Sequence, residues 1–329
     1  MPRIKAIVSV VSLFTLCWFA PPASAADKGV SVRDENGRVR VEINGALFTE
    51  YHYRDVPRPY CYPLIGPGSL PMTRKWPMTN SPGEEHDHPH HRSFWYAHGM
   101  VNGQDLWSEE PKSGRTRHES FLKLTSGPRE GIIESTNTWV GADGVALCSD
   151  VRKMTVYSTS PERVFDFEIT LYASQGDVTF GDTKEGTMTL RLAESMRLTH
   201  KGNKPGKGHI ITSAGVADGE TWGKRADWVD YHGPVQDKEV GAAIFDYPKN
   251  PRHPTWWHVR DYGLFAANPF GVHDFEKKPA HSGDFLIPAG KTATFRYRFI
   301  LHEGDEKAGR IAEQYKRFAA DGAPLGPQN

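Results

Sequence analysis

From Phe165 to Leu171 every second residue is apolar: Phe165, Phe167, Ile169 and Leu171 alternate with Asp166, Glu168 and Thr170. Alternate residues of an extended chain share a face, so this period of two predicts a half-buried β-strand. The same period returns at Val39, Val41 and Ile43 against Arg40 and Glu42, and at Phe295, Tyr297, Phe299 and Leu301 against Arg296, Arg298 and Ile300. Further strands are expected at 119–125, 131–140, 150–159, 177–180, 186–193, 209–213, 240–247 and 263–267, separated by Gly, Asn, Asp and Pro. Helical spacing is convincing in one place, where Ala308, Ile311, Ala312, Tyr315, Phe318 and Ala319 form a stripe that predicts a helix over 304–320. Many strands without intervening helices point to an all-β chain: a large antiparallel β-sandwich, two sheets face to face, capped by that one C-terminal helix. No blade motif recurs, which argues against a propeller. The Pro- and aromatic-rich stretch 57–89 reads as an ordered loop that carries function.

The ends add an address. Residues 1–25 read as a secretory signal: Arg3 and Lys5 open it, Ala6 to Ala20 is mainly apolar, and Ala23-Ser24-Ala25 fits the small-residue cleavage rule. The mature chain, 26–329, is expected to be a single β-sandwich domain. Phe14-Thr15-Leu16 before Cys17 matches a lipoprotein pattern poorly, and no later apolar run is long enough to span a bilayer. A soluble periplasmic or secreted protein is therefore expected, with no membrane span after signal cleavage. Lys and Arg number 40 and so do Asp and Glu, so there is no basic field for nucleic acid. Of three cysteines, Cys17 lies in the signal; an oxidising compartment allows Cys61 and Cys148 to be bridged or free. Oligomeric state is not encoded in any pattern visible here.

Candidate chemistry starts in Glu85-His86-Asp87-His88-Pro89-His90-His91-Arg92, which with His98 gathers five of the chain's fifteen histidines. Imidazoles relay protons near neutrality and also ligate metals. On an extended segment His86, His88 and His90 would share a face, the arrangement a divalent metal needs, although Pro89 favours a loop or an edge. In the competing reading one or two histidines donate protons and Arg92 holds an oxyanion; a purely structural network of rings, carbonyls and Asp87 is the bland alternative. Gly181-Asp182-Thr183-Lys184-Glu185-Gly186 is either a plain turn or a Lys-Glu pair displayed at a strand end. In Asn250 to Gly263, Trp256, Trp257, His258, Arg260 and Asp261 are the materials of a sugar site, where flat aromatic faces stack on a pyranose and polar groups hold its hydroxyls. Most tryptophans nevertheless fill cores. No nucleophile elbow, phosphate-cradling loop or dinucleotide fingerprint is present.

Asp87-His88-Pro89-His90-His91-Arg92, Phe94-Trp95-Tyr96-Ala97-His98-Gly99, Val101-Asn102-Gly103 and Asp105-Leu106-Trp107 resemble the bacterial "PmoA family", also labelled "methane oxygenase PmoA". The resemblance continues through Gly181 to Gly186, Trp222-Gly223, Trp228 to Tyr231 and Trp257 to Phe265, and so covers most of the mature chain. It implies an exported protein of polysaccharide-degrading bacteria with a role near carbohydrate uptake. Methane oxidation is not implied, because a membrane monooxygenase subunit is a bundle of spanning helices. In architecture alone the chain is similar to the galactose-mutarotase-like supersandwich.

The leading expectation is a carbohydrate-active enzyme that works by hydrolysis, elimination or epimerisation. His88 or His91 serves as acid and Glu185 or Asp261 as base, while Arg92, His98, Lys184, Trp257, His258 and Arg260 bind a carbohydrate ligand. A non-catalytic carbohydrate-binding protein is one alternative. A metal-dependent oxidase or hydrolase with His86, His88 and His90 as ligands is another; the leading reading requires no cofactor.

Overall fold

The computed structural model describes residues 28–321, and the alternating segments are its strands. In Arg163–Tyr172 the side chains of Phe165, Phe167, Ile169 and Leu171 are all buried on one face. This strand pairs antiparallel with Thr292–Glu303, with Phe165 opposite Phe299 and Phe167 opposite Tyr297. The two belong to an eight-stranded sheet that runs, in spatial order, His209–Thr212, Trp228–Val235, Lys238–Asp246, Thr292–Glu303, Arg163–Tyr172, Ala146–Tyr157, Glu130–Val140 and Arg115–Thr125. A second eight-stranded sheet runs Val30–Asp34, Arg38–Ile43, Ala46–His52, Tyr60–Leu64, Phe94–His98, Gly186–Arg191, Leu264–Asn268 and Trp256–Val259. Its neighbours too pair antiparallel. The sheets meet through a common core, in which Phe94 of this second sheet packs edge-on against Phe165 and Phe299 of the first at 5.3 and 5.0 Å. The fold is thus the expected all-β antiparallel sandwich.

The C-terminal helix starts later than the spacing predicts, at Ile311, and runs to Asp321. Residues 304–310 are a turn instead, because the Asp305 carboxylate accepts the amides of Lys307 and Ala308 at 3.1 and 2.8 Å and Arg310 takes a positive φ of 51°. The helix covers the outer face of the first sheet: Ile311, Tyr315 and Phe318 bury Val164, Phe245 and Ile300. A second helix, Val272–Glu276, is only one turn long and gives no stripe to read. The strand Phe94–His98 also escapes alternation, since all five residues are buried. Its inner face joins the core and its outer face is roofed by loops, so both faces are apolar.

Cys61 and Cys148 are free and buried, and burial pushes the Cys61 thiol up to about 12. No helix among the described residues is long and apolar enough to cross a membrane. The expected signal, 1–25, lies outside the described residues.

Candidate functional site

The site lies on the face of the second sheet turned away from the core. Four adjacent strands carry it, and the pleat decides what each contributes. In Trp256–Val259, Trp257 and Val259 enter the inter-sheet core, so His258 points to the opposite face. In Gly186–Arg191, Met188 and Leu190 are core and Arg191 is outward; in Phe94–His98, Phe94 and Tyr96 are core and Trp95 is outward. Over this outward face the histidine-rich loop, Trp107-Ser108 and Lys184-Glu185 close a cavity of about 400 Å³. It is lined by His88, His90, His91, Trp107, Ser108, Lys184, Glu185, His258, Arg260 and Tyr262.

Four rings are stacked along one wall in the order Tyr262, His88, His91 and Trp95. The centroid separations are 5.2, 4.6 and 5.4 Å, and the first two pairs are within 10° of parallel. Behind the stack Asp87 is gripped by two buried guanidinium groups: Arg74 donates to Oδ1, and Arg191 Nη2 lies 3.1 Å from the same oxygen. Burial works against the carboxylate's charge, but His88, Arg191 and Arg74 outweigh it and hold Asp87 well below the usual carboxylate range.

Those partners favour opposite tautomers of the two imidazoles. His88 Nδ1 faces Asp87 Oδ2 at 2.9 Å without hydrogen-bond geometry, and a carboxylate at that distance favours the proton on Nδ1, which leaves Nε2 towards the cavity. Arg191 Nη1 donates to His91 Nδ1 at 3.0 Å, so the proton of His91 sits on Nε2. Burial, and then the charge of Arg191, hold His91 well below its ordinary value; it is a neutral donor. Burial and Arg58 bring His90 down to about 4, and burial and Arg260 bring His258 down to about 3. Of the cavity's imidazoles, then, His88 is the one oriented by a carboxylate, and the other three are held neutral.

His88, His91, Lys184, Glu185, His258 and Arg260 are therefore brought together as the sequence suggests, and four other residues are not. Trp257 is fully buried and gives its Nε1–H to the Ala226 carbonyl at 2.9 Å, because the pleat turns it away from His258. His98, two residues on from Tyr96, shares its inward face and lies beneath the sheet, 2.7 Å from the Gly181 carbonyl. Arg92 grips Glu109 through Nε and Nη2 at 2.8–3.0 Å and has no free fork for a ligand. Asp261 lies in a neighbouring cavity, where it accepts the Thr199 hydroxyl at 2.8 Å.

The metal arrangement does not form either. His86 is exposed and stacks on Trp76 at 4.1 Å, apart from His88 and His90, and among the described residues no three His, Cys, Asp or Glu side chains converge on a cation site. Three cavity residues have no part in the sequence readings, Trp107, Ser108 and Tyr262, and His90 has one only as a metal ligand. Tyr262 and Trp107 stood inside motifs already singled out, and the signal that could have found Tyr262 is its place two residues beyond Arg260. Three buried polar atoms of the lining, His88 Nδ1, Trp107 Nε1 and His258 Nδ1, have no hydrogen-bond partner in the protein. Such atoms are costly unless water or another partner meets them.

No curated protein matches the chain. Among solved structures it is similar to a glycoside hydrolase family 97 enzyme from Pseudoalteromonas sp. strain K8 in complex with panose, at 12% identity and a TM-score of 0.35 over 84% of this chain and 34% of that one. It is similar to the α-galactosidase from Lactobacillus brevis, at 9% identity and a TM-score of 0.39 over 92% and 44%. A third is a galactose mutarotase related enzyme from Lactobacillus acidophilus, at 9% identity and a TM-score of 0.31 over 84% and 98%. The chain spans less than half the length of the two hydrolases. Likeness at this level bears on no residue and no reaction. In sequence, residues 38–316 match one family throughout, and the chain belongs to it: the family of unknown function DUF6807.

Proposed function

We propose that this protein is an exported carbohydrate-active enzyme that moves protons on a sugar held in the histidine-lined cavity, by elimination or epimerisation. One observation carries the reading: His88 and His91 are stacked at 4.6 Å, with His88 Nδ1 against the Asp87 carboxylate and His91 Nδ1 accepting from Arg191. A pair so arranged offers one imidazole that gains and loses a proton beside one that stays a neutral donor. Glu185 is the carboxylate of the lining, with Lys184 Nζ 3.4 Å from its Oε1.

In an elimination, Glu185 takes the proton from a sugar carbon and the His88 imidazolium gives its Nε2 proton to the departing glycosidic oxygen. In an epimerisation, the proton removed by one of these groups is replaced on the other face of the carbon by its counterpart. His91 Nε2–H and Lys184 stabilise the negative charge that develops between the two events. Hydrolysis by paired carboxylates fits less well, because the second carboxylate, Asp261, belongs to the adjacent cavity. The motif resemblance to the PmoA family enters this reading only as support for export and for a place near polysaccharide breakdown.

The test is a panel of oligosaccharides incubated with purified protein in deuterated water and followed by proton NMR. Unsaturated product or deuterium at a sugar carbon is expected with the wild type and is expected to vanish with His88→Gln. Absence of turnover and of binding across the whole panel overturns the proposal. Export is checked separately: the mature N-terminus is expected at Ala26.

A further inference from the structure

A second cavity of about 380 Å³ adjoins the first, and Arg260 lines both. Each volume falls near the low end of the roughly 300–1,000 Å³ usual for small-molecule sites, so one cavity suits a compact ligand and the two together suit a longer one. The Arg260 guanidinium stands between an aromatic ring of each cavity, its Cζ 5.5 Å from the Tyr262 centroid and 5.9 Å from the Trp222 centroid. That is cation–π range, which positions the group without neutralising it.

The other arginines around the site each hold a carboxylate. Arg58 and Arg92 hold Glu109, Arg74 and Arg191 hold Asp87, and Arg197 holds Glu85 and Glu194. Arg260 is half-buried and has no carboxylate partner among the described residues. Its neighbour Asp261 makes no ion pair with it and accepts the Thr199 hydroxyl on Oδ2. Two arginines against one Asp87 leave the wall behind the ring stack with an excess of positive charge as well. An anion is the missing counterpart, and a planar fork fits a carboxylate or a sulfate.

The second cavity has the chemistry of a sugar subsite. Trp222 supplies an aromatic surface and a buried Nε1–H without a protein acceptor, while Asp218 and Asp261 supply acceptors for hydroxyls.

We infer that the substrate is an acidic oligosaccharide that occupies both cavities, its carboxylate or sulfate on Arg260 at the junction and its next unit against Trp222. This rests on the sugar-site reading above and adds to it the ligand's charge and its minimum length. The reacting unit lies in the first cavity, with His88 and Glu185, and the second cavity sets chain length and polarity.

Isothermal titration of the mature protein with uronic-acid monomers, dimers and trimers, with the neutral sugars of the same linkage, and with sulfated counterparts tests it. Dissociation constants are expected to fall at least about tenfold from acidic monomer to acidic dimer, some 1.4 kcal/mol. Trp222→Ala is expected to remove that gain, with the milder Trp222→Leu, which keeps apolar bulk and loses the aromatic face, as a second variant should Trp222→Ala not fold. Arg260→Gln is expected to weaken acidic ligands at least about tenfold and to bring them level with neutral ones. The uronate and sulfate arms identify which anion the fork takes. Equal affinity for monomer and dimer, or neutral sugars bound as tightly as acidic ones, overturns the inference while the sugar site stands; no binding of any sugar overturns both.

Discussion

Two clusters in this molecule are built from the same parts, one aspartate between two histidines, and they behave in opposite ways. At the cavity, Asp87 meets His88 and, through Arg191, His91. In the first sheet, Asp230 accepts His232 Nδ1 at 2.8 Å and His302 Nε2 at 2.6 Å. The difference is arginine. Arg74 and Arg191 absorb the charge of Asp87, and His91 is driven neutral by burial and then by those guanidiniums. Among the described residues no guanidinium meets Asp230, so its charge falls on the imidazoles: burial opposes protonation of His302, but Asp230 outweighs it and raises the ring above its ordinary value. Geometry agrees, since His302 Nδ1 lies 3.2 Å from the Glu303 carbonyl and both ring nitrogens therefore face acceptors. A Cβ on Gly241 or Gly309 would strike this ring, so His302 is sealed in by close backbone. His88 opens onto a cavity instead. The two His–Asp contacts thus differ in whether a second cation competes for the carboxylate and whether solvent reaches the ring; the His302–Asp230 contact is a buried ion pair.

The largest effects separate the clusters by kind. His88→Gln is expected to lower turnover by about 10²–10⁴-fold with little change in melting temperature, because the ring is half-exposed and its loss leaves Asp87 paired to two arginines. His302→Ala is expected to do the reverse. It leaves Asp230, fully buried, with His232 as its remaining imidazole partner, and should cost about 3–5 kcal/mol of stability, read from the urea midpoint, while turnover per folded molecule is kept. Equal loss of turnover in both variants would mean that the clusters do not differ in role.

The pH dependence of stability follows the same division. His302 is raised in the fold, so its contribution is fully present below the unfolded value near 6.5 and is lost as pH rises through the folded one. Asp87 is depressed, so its contribution is present above the ordinary carboxylate value and is lost only as pH falls through a strongly acidic folded one. Melting temperature is therefore expected to decline on the alkaline side in the wild type, with a shallower decline in His302→Gln. An unchanged slope in that variant would remove His302 as the cause.

Arg191→Lys tests the arginine directly. A lysine keeps the charge, but a single ammonium cannot satisfy both His91 Nδ1 and Asp87 in the planar geometry of a fork. The His91 tautomer should then become mixed, visible in long-range nitrogen–proton NMR spectra, and turnover should fall by about tenfold to a hundredfold through misplacement of the ring stack. A His91 that keeps its Nε2–H tautomer would show that Arg191 does not set it.

How far the sequence reaches follows from the same physics. Alternation located Arg163–Tyr172 and Thr292–Glu303 because one face of each strand is uniformly apolar. It could not locate Phe94–His98, whose two faces are both covered. At the site, residue types were legible and directions were not. Period two places Trp257 and His258 on opposite faces, but which face is core depends on pairing with Leu264–Asn268, a long-range fact. Arg92 was read as a free cation because Glu109, its partner, is a loop residue whose approach no local pattern encodes. Arg191, which sets the His91 tautomer, shows in the sequence only as a charge ending an otherwise uncharged strand.

The smallest expected effect sharpens the comparison from outside it. His86 belongs to the same histidine-rich run as His88, yet it is exposed and touches Trp76 in a stacked pair, away from Asp87 and from the cavity wall. If proximity in sequence made these histidines a unit, as a metal site on His86, His88 and His90 requires, His86→Ala would lower both turnover and affinity for an added divalent metal. If the arginine-held carboxylate makes the site, His86→Ala removes only one exposed stack. Turnover should then be unchanged and stability should stay within about 0.5 kcal/mol, as for surface substitutions generally. Zinc titrations of wild type and variant decide between them: equal curves leave His86 outside the site, and a loss of affinity in the variant would return the metal arrangement that the observed side-chain positions do not form.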